Sequence, residues 1–317
     1  MSAPVRIWYV SAQRLCNFRC AYCVSVGDYS KSNKLDWAKS TDHADFDAIV
    51  HWIGSRPFPV QVRLATLGEP FASRDFLAGA SWLTQQEQVG FVELLTNGSL
   101  LKRRLPALAE TADMSKISLW ITHHHTEIEI GRFIDNARFA QDEYGCFVVV
   151  NALLFPGNQR EVADLRMATE RAGLRFHVDV GYDPAQNGAT GSPSQSVPIL
   201  QEPGGADAVV EMGVDPEMLR LNLTALDGPR DRACSAGHDY IYIGIDGDVY
   251  PCSRYYVLKN NRLGNVLDPE FELALRPSRW TRCQALAGCC NKEDFLNLAV
   301  SHSVGERRDP SLGWTSR

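Results

Sequence analysis

Val5-Arg6-Ile7-Trp8-Tyr9-Val10 is followed, after five intervening residues, by Cys16-Asn17-Phe18-Arg19-Cys20-Ala21-Tyr22-Cys23. The first six residues are a β-branched and aromatic run, the composition of a strand. Three thiols then crowd one short loop directly after it. A 4Fe-4S cluster normally takes four cysteines, so three leave one iron open to a chelating ligand. A structural zinc site would want a fourth ligand nearby, and none with the usual spacing follows Cys23. Zinc or unrelated buried cysteines are the competing accounts.

Beyond this loop, short apolar runs alternate with helical patterns as far as residue 183, which predicts repeated strand-helix units around a parallel sheet. Strands are expected at 5–10, 60–66, 90–96, 116–122, 146–154 and 174–181. Helices are expected at 44–53, 75–86, 103–110, 127–143 and 160–171, with Thr126 as a cap and chain reversals at Gly145 and Gly173. Six such units place the chain in the α/β class as a partial (β/α)6 barrel. Alternation gives the strands two faces. Ile117, Leu119 and Ile121 face the outer helices, while Ser118, Trp120, Thr122 and His124 face the other way. Phe176, Val178 and Val180 oppose His177 and Asp179 in the same manner, so the lumen reads as a polar reaction chamber.

The 317 residues are 44% hydrophobic, enough for one large core plus a small module, which excludes a largely disordered chain. A formal net charge of -6 leaves no basic stripe for nucleic acid and suits a cationic small substrate. Neither a signal peptide nor an apolar run of membrane-spanning length is found, so no membrane partner is expected and a cytoplasmic location is. Nine cysteines, an odd number clustered toward two ends, argue for metal ligation over a disulfide framework. Cys146 begins a buried strand and reads as a small apolar residue.

The Cys16, Cys20 and Cys23 spacing, with Tyr22 before the last thiol, resembles the radical S-adenosylmethionine superfamily. The resemblance implies that these cysteines hold a 4Fe-4S cluster whose open iron is chelated by S-adenosylmethionine, giving a 5'-deoxyadenosyl radical. It also implies an external electron donor such as flavodoxin or ferredoxin. Leu67-Gly68-Glu69-Pro70 resembles the family's GGEP motif, whose backbone and carboxylate hold the ammonium of S-adenosylmethionine; a leucine replaces the first glycine. Thr96-Asn97-Gly98 matches a ligand-facing tripeptide, or an ordinary turn. Thr122 and Asn151 stand where the family contacts ribose or carboxylate, and ordinary strand-end hydrogen bonding is the alternative.

The last third carries Cys234, Cys252, Cys283, Cys289 and Cys290, with a hairpin signal over 240–250 and Asp246-Gly247 at its turn. It resembles the superfamily's auxiliary-cluster module in its SPASM or twitch form. Trp280 and Glu293 replace two cysteines of the full pattern, so one auxiliary 4Fe-4S cluster is expected, on Cys234, Cys252, Cys283 and either Cys289 or Cys290. The thiol left over either packs beside the cluster or donates a hydrogen atom. The chain thus divides into a barrel at 1–183, a bridge at 184–233 with a short helix near 216–223, and the auxiliary module with its tail at 234–317.

Candidate substrate residues lie at the barrel mouth. His123, His124 and His125 end the fourth strand as a metal site, as solvent-exposed groups, or with His124 bonding substrate. His177, Asp179, Tyr182 and Asp183 close the sixth strand; Asp179 would bind an ammonium or hydroxyl, and Arg175 or His177 would take a proton. A satisfied polar network is the competing account. The layout is similar to twitch enzymes of the 2-deoxy-scyllo-inosamine dehydrogenase type, which implies oxidation of an aminocyclitol or aminosugar alcohol in natural-product (aminoglycoside-type) biosynthesis. An epimerase or cross-linking enzyme acting on a ribosomal peptide or sugar is the runner-up, and an iron-sulfur carrier the third reading. Gly68-Glu69-Pro70 counts against the carrier; the short stretch before Cys16 counts against a leader-binding domain.

Overall fold

Six strands run parallel and in chain order: β1 (Val5–Ser11), β2 (Val60–Thr66), β3 (Val89–Thr96), β4 (Ile117–His123), β5 (Phe147–Leu154) and β6 (Arg175–Val180). The computed structural model describes residues 4–23, 37–181, 198–212, 230–285 and 297–298. Helices α1 (Asp42–Gly54), α2 (Arg74–Thr84), α3 (Leu101–Ala109), α4 (Ile130–Tyr144) and α5 (Gln159–Arg171) make the crossovers. This is the expected partial barrel, with strand limits within two residues of those read from the periodicity. The expected start of α4 was too early. Glu127 N–H bonds His124 O in a turn, and Glu129, not Thr126, precedes the first helical residue.

The two-faced reading of the strands holds. Ile7, Tyr9, Val62, Leu64, Leu94, Leu119, Ile121 and Val150 all join the core beneath the helices. Alternation follows from the pleat: residues two apart share a face, and the helices cover only one.

The other face is less open than a chamber polar throughout. Register places Trp8, Arg63, Glu93, Ser118 and Phe147 in one row across β1 to β5. Above it lie Leu95, Trp120, Val149 and Arg175. Trp120, Phe147 and Val149 form their own buried apolar cluster with Leu95 against it. Arg63 and Glu93 are paired at 2.5 Å, both nearly inaccessible, with the guanidinium facing the rings of Trp8 and Trp120. The lower lumen is therefore a packed floor, and the polar row Thr122, Asn151 and His177 lies above it.

The C-terminal module is stitched into the same sheet. Strand β8 (Tyr240–Ile243) pairs parallel with β1, Arg6 opposite Tyr240, and β9 (Asp248–Tyr250) returns antiparallel to β8. Gly247, at φ 77°, makes the expected turn between them, where a side chain would be strained. Strand β10 (Gly264–Asn265) completes the nine-stranded order β10-β9-β8-β1-β2-β3-β4-β5-β6. Strands β7 (Ala233–Cys234) and β11 (Thr281–Arg282) form a separate antiparallel pair. Helices α6 (Gly205–Glu211) and α7 (Ser253–Leu258) are short. The helix expected near 216–223 lies outside the described residues. Among the described residues no helix is long and apolar enough to cross a membrane.

Candidate functional site

The loop after β1 is held by the end of β2, its neighbour in the sheet, and by the end of β3, the next strand beyond. Glu69 N–H donates to Leu15 O at 2.8 Å, and Gln13 Nε2 donates to the same carbonyl at 3.0 Å. The Thr66 hydroxyl lies 2.7 Å from Gln13 Oε1. On the other side, Asn97 Nδ2 donates to Asn17 Oδ1 at 3.2 Å, and Asn17 Nδ2 to Ser99 Oγ at 2.8 Å. The three thiols are thus carried on a backbone clamped from two strands.

Gly68 is the contact point. A Cβ there would sit 2.4 Å from Leu15 O and 2.6 Å from the Arg14 carbonyl carbon. Leu67 donates its N–H to Ser11 O and tolerates a side chain. This explains why the departure from the motif falls at 67 and not at 68.

The Glu69 carboxylate turns inward. Oε1 accepts the Thr96 hydroxyl at 2.5 Å and the Phe71 N–H at 3.0 Å, and Oε2 accepts the Asn97 N–H at 2.8 Å. Burial pushes its pKa up to about 7, against the lowering effect of those three bonds. Its role in this chain is to lock the residues after β2 to those after β3. Pro70 is buried at the start of the 3-10 turn that follows.

Cys16, Cys20 and Cys23 act on one another electrostatically. Burial, with Glu127 and the other two thiols, pushes Cys20 up to about 12, so a thiolate there calls for a cation. Tyr22 stacks on His125 with ring centroids 5.4 Å apart and tilts onto Phe155 at 5.0 Å. Its hydroxyl lies 3.4 Å from His124 Nδ1. His124 also meets the edge of Phe18. Burial, reinforced by His123 and His125, lowers its pKa to about 4 and keeps it neutral. His123 points away, against Phe133, with Nε2 2.9 Å from Ile128 O. His123 therefore parts from the other two, while His124 and His125 both stack on Tyr22, so the three do not converge on one point.

One layer inside, Asn151 Nδ2 donates to Thr122 Oγ1 at 3.3 Å, while buried Asn151 Oδ1 has no hydrogen-bond partner among the described residues. An orphaned acceptor on the inner face suits a ligand hydroxyl or ammonium. Next along the row, His177 Nε2 lies 3.0 Å from Asp179 Oδ1, with His177 17% and Asp179 39% exposed. Arg175 does not join them. It opens β6 one layer lower, its guanidinium 4.0 Å over the Phe147 ring, and a guanidinium is no base at biological pH. Tyr182 and Asp183 lie outside the described residues.

The second thiol group converges as expected from the hairpin. Cys234, Cys252 and Cys283 line one pocket of about 360 Å³, counting the solvent at its mouth, together with Arg254, Tyr255 and Arg276. Each of the three cysteines is buried. This all-sulfur donor set fits an iron-sulfur cluster. Cys289, Cys290 and Glu293 lie outside the described residues; Trp280 is 46% exposed. None of the seven described cysteines is in a disulfide, and Cys146 packs in the core. Sequence reading missed Gln13, Asn17, Arg63, Glu93, Arg254, Tyr255 and Arg276. Arg63 and Glu93 had left a signal, each a lone charge in an apolar strand.

Residues 234–297 match the family model of SPASM, described as an iron-sulfur cluster-binding domain. The chain is 28% identical over 196 residues to the GTP 3',8-cyclase of Aquifex aeolicus (strain VF5), a match covering 57% of this chain and 59% of that protein. The fold is similar to native anSMEcpe with bound AdoMet and Cp18Cys peptide, with a TM-score of 0.56 at 16% identity over 96% of this chain and 86% of that one. It is also similar to Streptococcus suis SuiB bound to S-adenosylmethionine, with a TM-score of 0.54 at 15% identity over 85% and 65% of the two chains. These findings support a radical S-adenosylmethionine enzyme whose residues 234–297 match a SPASM domain. The SPASM match and the fold support S-adenosylmethionine and 4Fe-4S clusters as its cofactors. The match spans less than two thirds of the cyclase, so it assigns no reaction.

Proposed function

We propose that this protein is a radical S-adenosylmethionine oxidoreductase that converts a secondary alcohol of an aminocyclitol or aminosugar to a ketone. The observation that carries the reading is the His177–Asp179 pair on the inner face, in the row that holds Thr122 and the Asn151 carbonyl, which has no partner among the described residues.

Cys16, Cys20 and Cys23 would hold the first cluster, with Tyr22, the backbone at Gly68, Glu69 and Pro70, and Thr96, Asn97, Thr122 and Asn151 shaping the S-adenosylmethionine site. Cys234, Cys252, Cys283 and one of Cys289 and Cys290 would hold a single auxiliary cluster. When bound, S-adenosylmethionine on its cluster supplies a hydrogen-abstracting radical, and the auxiliary cluster supplies a one-electron acceptor. The protein supplies the proton path. A radical centre on a carbinol carbon makes its hydroxyl far more acidic. With Nε2–H of His177 donated to Asp179, Nδ1 carries the lone pair that accepts this proton. Asp179, at the open side of the pair, also suits an ammonium. The packed floor of Trp120, Val149 and Leu95 keeps the substrate in the upper lumen and excludes water below it.

The test is mass spectrometry on anaerobically reconstituted protein with reductant, S-adenosylmethionine and a panel of aminocyclitols, aminoglycosides and short peptides. The reading expects loss of two hydrogens from an amino sugar with one 5'-deoxyadenosine per turnover. In His177→Gln, ketone formation should fall by about 10²–10⁴ while 5'-deoxyadenosine still forms. An unchanged substrate mass with deuterium gained from heavy water, on a sugar or peptide, would overturn dehydrogenation in favour of epimerisation.

A further inference from the structure

The pocket of Cys234, Cys252 and Cys283 has a polar lining of one sign. Among the described residues Arg254 and Arg276 are its charged members, Tyr255 its hydroxyl, and the two remaining residues are alanines, with no carboxylate in the lining. Arg254 Nε is buried and finds no hydrogen-bond acceptor among the described residues. Arg276 is fixed by donating from its NH1 atom to Ala236 O at 3.0 Å and Thr281 Oγ1 at 2.8 Å, which ties it to the strand pair carrying Cys234.

Tyr255 is oriented more tightly. Its hydroxyl oxygen accepts the Gln284 N–H at 3.0 Å and lies within hydrogen-bonding reach of the Cys283 thiol. Because one side of the oxygen is occupied by a donor, the phenolic proton is directed toward Cys283. A cysteine-bound cluster gains one negative charge on reduction. Cations and sulfur-directed hydrogen bonds in a buried pocket therefore favour its reduced form.

We propose that Tyr255, Arg254 and Arg276 form a donor shell that raises the reduction potential of the auxiliary cluster and so fits it to accept an electron. These are positioning residues acting through the cluster. The inference rests on the reading that Cys234, Cys252 and Cys283 ligate such a cluster.

The experiment uses the full chain with Cys16, Cys20 and Cys23 replaced by alanine, reconstituted with iron and sulfide. Iron content and EPR-monitored potentiometric titration are read separately. Tyr255→Phe, which keeps the ring, and Arg254→Gln should each retain iron and make one-electron reduction about tenfold less favourable, a shift of about 59 mV downward. Arg254→Lys should recover part of it. Iron retained with an unchanged potential in both Tyr255→Phe and Arg254→Gln overturns the donor shell and leaves the ligand assignment standing. A parent protein that takes up no iron overturns the ligand assignment, and the shell with it.

Discussion

Glu69 accepts the backbone N–H of Asn97 at 2.8 Å, a bond that joins the end of β2 to the end of β3 beneath the cysteine loop. Together with the Thr96 and Phe71 bonds it makes the carboxylate an internal strut.

That strut has a pH signature in the protein without cofactors. Its pKa in the fold, about 7, exceeds the usual 4.5, so the folded chain holds a proton that the unfolded chain has lost between those values. The contribution is fully present below about pH 4.5 and is lost as pH rises through about 7, a change of roughly 3 kcal/mol. Urea unfolding from acidic to neutral pH should show it, and Glu69→Gln should abolish the slope. At acidic pH Glu69→Gln should be less stable than the parent by about 1–3 kcal/mol, because an amide donor would face the Asn97 N–H or the Thr96 hydroxyl, and this deficit should close as pH rises through about 7.

Gly68→Ala tests the clamp on the thiols. The added carbon would meet backbone at Leu15 and Arg14, which has no flexible end to give way. The loop must shift, and reconstituted protein should lose most of the iron held by Cys16, Cys20 and Cys23 while the iron of the SPASM domain stays. Gly131→Ala, with nothing within 4 Å of the added carbon, is the control and should keep both.

Asn151→Leu separates binding from stability. It removes a buried acceptor without a partner among the described residues, whose burial costs about 1–3 kcal/mol. The cofactor-free protein should unfold at the same temperature or higher, and S-adenosylmethionine or substrate should bind at least tenfold more weakly in equilibrium dialysis. Lower stability with unchanged binding would assign Asn151 to the fold alone.

Much of this was legible because strand alternation and thiol spacing are local. Ile117, Leu119 and Ile121 declared the outer face of β4, and Ser118, Trp120 and Thr122 the inner one, from period alone. Direction at a strand end was not legible: His123 turns to Phe133 while His124 and His125 both stack on Tyr22, and packing decides each ring. Nor was the inward turn of Glu69, since its partners lie 27 and 28 residues further along the chain. Arg175 was misjudged because alternation gives a side and not a height; register with Val149 puts it below the row of Asn151 and His177. The floor pair Arg63 and Glu93 was visible as two charges, but only adjacency of β2 and β3 makes them partners.

The pairing of β8 with β1 sets an order of assembly. Arg6 and Tyr240 are partners across more than two hundred residues of chain, so β1 keeps one bare edge until the hairpin after Cys234 has been synthesised. Until then its unpaired N–H and C=O groups are open to intermolecular strand pairing. A fragment ending at residue 212 would carry that edge permanently, beside the loop of Cys16, Cys20 and Cys23, and should aggregate where the longer chain does not.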